Sequence, residues 1–79
     1  MADRGFRELT EELDEVQTEI NALRTQLQHN ERALLRHIWE GNNQQADAAI
    51  LIIQQIQDEL DLATEMQTEL IIQMVLLRG

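Results

Sequence analysis

Cysteine is absent from this chain, so neither a disulfide framework nor a thiolate site can form. Proline is absent too, and glycine occurs only at Gly5, Gly41 and Gly79, which leaves long stretches with no helix breaker. Serine is missing as well. That removes the commonest nucleophiles, and the threonines have no evident base beside them in the sequence. There is no glycine-rich phosphate loop. The only histidines are His29 and His37, and neither has a Glu three residues before it, as the metal–carboxylate pattern of a helical bundle would want. The expectation is a protein without catalysis: no catalytic residue, no metal and no cofactor.

Bases are scarce. The formal net charge is −9, the pI is near 4.4, and every base is Arg. Like charges repel, so direct binding to nucleic acid or an anionic membrane is not expected, and partners with basic surfaces are favoured. The start, MADRGFREL, has no apolar run ahead of a cleavage site. The longest apolar stretches, AAILII and LIIQMVLL, are too short to span a bilayer as helices. A cytoplasmic protein is expected, with export without a cleaved signal peptide kept open.

Gln, Glu, Leu, Ile and Ala dominate what remains. From Phe6 the apolar residues recur at steps of three and four: Leu9, Leu13, Val16, Ile20, Leu23 and Leu27. Asn30, Leu34 and His37 continue the rhythm. This is a heptad seam of a and d positions, the pattern of a coiled-coil helix. A second seam runs from Ala46 and Ala49 through Ile53, Ile56, Leu60 and Ala63 to Gln67, Leu70, Met74 and Leu77. Pairing residues whose numbers sum to 83 matches every layer, from His37 with Ala46 to Phe6 with Leu77. Between the seams lies HIWEGNN. Gly41 suits the left-handed residue past a helix end. Asn42 or Asn43 suits an N-cap, and Asn42 with Gln45 has capping-box spacing. Asp47 is expected in the first turn that follows, where the helix dipole favours it. The chain is therefore read as one all-α domain, residues 1–79. It is an antiparallel two-helix coiled-coil hairpin with helices at 5–40 and 43–78 and the turn at 41–43.

More apolar residues are present than one seam needs. Near the turn these are Leu35, Ile38, Trp39, Ile50, Leu51 and Ile52; near the termini they are Ile71, Ile72, Val75 and Leu76. Between them, 54–69 is mostly polar outside the seam, apart from Leu62 and Met66. Contiguous apolar surface of this kind marks an interaction site. A homodimer forming a four-helix bundle, or a complex with another helical protein, would cover it. Acids cluster in 8–19 and 58–69, and Glu11, Glu12, Glu15, Asp58, Glu59 and Asp61 are candidates for an acidic face. That face could keep the chain soluble or dock a basic partner, with an inhibitor mimicking nucleic acid as the extreme form. Three seam positions are polar. Asn30 and Gln67 are candidates for fixing register or oligomer state, and His37 for a pH-sensitive position.

Trp39, Glu40 and Gly41 spell Trp-x-Gly at the junction of the two helices. This resembles the WXG family of small helical-hairpin proteins exported by specialised bacterial secretion systems. The resemblance implies a four-helix-bundle dimer with the Trp at the turn. The chain has no Tyr, so the Tyr-containing export signal of many members is missing, and the resemblance then implies export alongside a partner. Size, the LTEEL segment and the Gly turn are also similar to the hairpin co-chaperones of type III secretion needle subunits. The functional expectation is a non-enzymatic interaction module, acting as adaptor, chaperone or inhibitor through helical packing.

Overall fold

The computed structural model describes residues 5–78. They form two helices, α1 (Phe6–Glu40) and α2 (Asn43–Arg78), packed against each other as an antiparallel hairpin. The rod measures 58 × 17 × 14 Å. A helix of this length spans about 50 Å at 1.5 Å per residue, so the molecule is one helix long and two helices wide. Among the described residues, no helix is long and apolar enough to cross a membrane.

The turn is built from backbone bonds. Gly41 has φ 76° and ψ 17°, the left-handed region. Its N–H donates to Ile38 O at 3.2 Å, and the Asn42 N–H donates to His37 O at 2.8 Å. Together these bonds satisfy the last carbonyls of α1 in a Schellman arrangement. Space is not what demands glycine here, because a Cβ at Gly41 would meet nothing within 4 Å. The positive φ demands it. Gly41→Ala is therefore expected to cost about 1–2 kcal/mol. Thermal melting followed by circular dichroism should show the midpoint falling by at least roughly 4 °C.

Two expectations at the turn need correcting. The capping box of Asn42 with Gln45 does not form. It would need the Asn42 N–H, which His37 O already holds, and the Asn42 side-chain amide donates instead to Glu40 Oε1 at 3.3 Å. Asn42 still serves as the flanking residue of α2 through its carbonyl, which accepts from the Ala46 N–H at 2.9 Å. Asp47 lies past the first turn of α2, which holds no acid, so the dipole argument does not reach it.

The core follows the heptads. Leu9, Val16, Ile20 and Leu23 of α1 are buried, with Ala46, Ala49, Ile56, Ala63 and Leu70 of α2. Leu13, Leu27, Leu60 and Met74 pack against them, half-buried. All are seam positions, and pairing them by numbers that sum to 83 sets large residues opposite small ones, Ile20 with Ala63 among them. The last layer departs from the pattern. Phe6 is 54% exposed and Leu77 48%. Among the described residues no further layer lies beyond them, and the seam opens at the end away from the turn.

This core is thin. Nine of the described residues are buried, and three of them are Ala. The accessible surface is 6199 Å², against about 4,900 Å² for a compact monomer of this mass. A chain so small with so little buried surface commonly gains stability by association.

Candidate interaction surface

Helix geometry sorts the positions outside the seam into two sides. Around a heptad helix the order is a, e, b, f, c, g, d. In an antiparallel pair the e and b positions of both helices therefore share one side of the rod, and c and g share the other. Two grooves mark these sides. One, of about 230 Å³, lies at the end away from the turn and is lined by Phe6, Leu13 and Met74 with Ile71, Val75 and Arg78 from e and b. The other, of about 420 Å³, is floored by Val16 and Leu70 and rimmed by c and g residues: Glu12, Glu15, Met66, Glu69 and Gln73.

All ten surplus apolar residues named from the sequence are exposed, Trp39 most of all at 91%. Leu35, Ile38, Ile50, Ile71 and Val75 occupy e and b. Trp39, Leu51 and Ile72 occupy f, the outer edge of each helix, which borders both sides. Ile52 and Leu76 fall on the c/g side, with Leu62 and Met66. Leu62 at c and Met66 at g, outside the ten, are exposed on that same side.

Charge is divided between the sides. On c and g stand Glu8, Glu12, Glu15, Glu19 and Glu40 of α1 and Glu59 and Glu69 of α2, with Arg36 as the single arginine. On e and b, Asp14, Glu31, Asp47 and Asp61 face Arg7, Arg24 and Arg78. The six acids proposed as one face are spread out. Glu12, Glu15 and Glu59 are on c and g, Glu11 and Asp58 on f, and Asp61 on b. The groove joins Glu12 and Glu15 to Glu69, which the candidate set did not include. The one ion pair described in detail, Arg7 with Glu11 at 3.5 Å, joins two exposed side chains and contributes little.

The three polar seam residues behave differently from one another. Asn30 Nδ2 donates to Gln26 O of its own helix at 2.8 Å, so it is satisfied without reaching across. Gln67 does cross: its Nε2 donates to Gln17 Oε1, and Gln17 Nε2 donates in turn to Asn21 Oδ1 at 3.2 Å. This chain of amides links the two helices on the e/b side. His37 is half-buried, and its Nδ1 is enclosed with no hydrogen-bond partner. Such an atom carries a desolvation cost.

Among the described residues no group of three or more His, Cys, Asp or Glu is placed to hold a metal ion. No protein-family model, curated protein or solved structure matches the chain.

Proposed function

We propose that this protein is a non-enzymatic interaction module, an adaptor, chaperone or inhibitor, that works by packing its apolar ends against other helices. A second copy of the chain is the partner always at hand. One observation carries the reading. Fourteen large apolar side chains are exposed among the described residues, against nine residues buried in the core. Apolar surface in contiguous patches favours association by roughly 25 cal/mol per Å² removed from water. The helices differ in this respect. α1 keeps most of its length polar outside the seam, whereas α2 is apolar nearly all round at both ends, the character of a helix covered on more than one side.

Light scattering and circular dichroism across the micromolar range test this. The mass is expected to rise above the 9.2 kDa of one chain, with helicity rising alongside. A constant single-chain mass with full helicity at every concentration would sink the reading.

A further inference from the structure

We infer that the second copy docks on the e/b side and runs antiparallel to the first along the rod, so that the turn end of each copy enters the apolar groove at the open end of the other. This rests on the association reading above and specifies its surface, its direction and its fit.

The choice of side follows from charge. Two c/g sides placed together would bring seven acids and one arginine from each copy into one interface, whichever way the copies run. Like charges juxtaposed in an interface are strongly unfavourable. The e/b side is close to balance and apolar at both ends. Its middle carries neutral amides and hydroxyls, among them Gln17, Asn21, Gln57 and Thr64, together with Arg24 and Asp61.

The choice of direction follows from charge along the rod. By the helix midpoints the half toward the turn spans residues 24–60, where Arg24, Arg32 and Arg36 stand against Glu31, Glu40, Asp47, Asp58 and Glu59, so −2 of the net charge of −9 lies there and −7 in the half away from the turn. Copies with their turns together would lay one acidic half on the other. Antiparallel copies lay each strongly acidic half on a half much nearer balance, with Arg24 on the facing side.

The fit follows from levels along the helices. The midpoint of α1 is Leu23, so an antiparallel copy brings Ile38 level with Glu8 of its neighbour. The midpoint of α2 falls between Leu60 and Asp61, which brings Ile50 level with Ile71. Those levels hold the groove formed by Phe6, Leu13, Ile71, Met74 and Val75. Ile38 and Ile50 are both e residues, nearest the midline of the hairpin, and the groove lies on the same side. A face 58 by 17 Å amounts to roughly 1,000 Å² per copy, within the range of stable interfaces. The acid-rimmed groove of the c/g side stays in solvent on both outer surfaces of the bundle.

Two measurements test this. The chain has no cysteine, so Asn43→Cys provides a single spin-label site at the turn. Pulsed dipolar spectroscopy of the dimer is expected to give a label separation of roughly 50 Å, one helix length. A separation under about half a helix length would mean turns together and would overturn the direction. The second measurement uses a matched pair of neighbours. Ile50 is 40% exposed and Ile52 43%, on opposite sides of the rod. Ile50→Glu is expected to weaken association at least about tenfold, because it buries a charge, while Ile52→Glu leaves it nearly unchanged. The reverse pattern would overturn the choice of side while leaving association itself intact. A wild-type chain of single-chain mass would fail the underlying reading instead. Circular dichroism of both variants separates lost folding from lost association.

Discussion

Ile20→Ala is expected to remove half or more of the folding stability, and a second change, Ala63→Ile, to restore part of it. Ile20 is 1% exposed and stands opposite Ala63, which is 4% exposed. Truncating Ile20 leaves a layer of two alanines with a void that long, straight helices cannot close. The cost of such a change is about 2–5 kcal/mol. A domain of this length has about 4–12 kcal/mol in total, and the thin core puts this one toward the lower end. Ala63→Ile alone overfills the layer and is expected to cost about 1–3 kcal/mol. With both changes the large and small partners have traded helices, so the losses should not add. Urea unfolding of the four proteins, at one concentration so that association is held fixed, gives the coupling directly. Simple additivity would mean that these two residues do not share a layer, and the register would be wrong at its centre.

The hairpin and its two buried stripes were legible from sequence because a two-helix rod leaves few variables to settle. Once the heptad stripe of each helix is known, only the sliding position is free, and Gly41 fixes it by placing the turn. The burial of Leu9 through Leu23 and of Ala46 through Leu70 follows from those two facts. The misses have local causes. Phe6 and Leu77 fit the repeat, but burial needs a further layer beyond the last, and a repeat does not say where it stops closing. The capping box failed because a single N–H, that of Asn42, was wanted by two acceptors, and spacing alone does not say which wins. Asn30 was a candidate for fixing register or oligomer state, and spacing alone did not show that its amide bonds to its own backbone, an option open to any Asn in a helix. The acids show the same limit in another form. A run along the sequence winds round a helix, so 58–61 scatters over f, g and b, whereas Glu69 joins Glu12 and Glu15 across the groove.

Trp39→Ala is expected to leave the hairpin itself nearly unchanged and to weaken its association roughly 30-fold. At 91% exposure the indole contributes little to the fold, and a surface substitution of this kind is usually within about 0.5 kcal/mol. In an interface the balance reverses, because a buried Trp is a common hot spot, where truncation costs about 2 kcal/mol or more. That is the 30-fold change in the dissociation constant. HIWEGNN thus splits into two parts with different causes. Gly41 and Asn42 are accounted for by the turn. Trp39 is not, since no bond or packing requirement of the hairpin calls for a large aromatic at an f position beside Ile38. In the antiparallel bundle that position borders the e/b side and comes level with the open end of the other copy, where Phe6 is half exposed. Trp39 is the only Trp of the chain, so its emission reports its own surroundings. It should shift to the blue over the concentration range in which the mass rises, and Trp39→Phe should retain most of the affinity that Trp39→Ala loses. Emission that stays unchanged while the mass doubles would put the indole outside the interface, and the exposed Leu35, Ile38 and Ile50 would then have to carry the turn end without it.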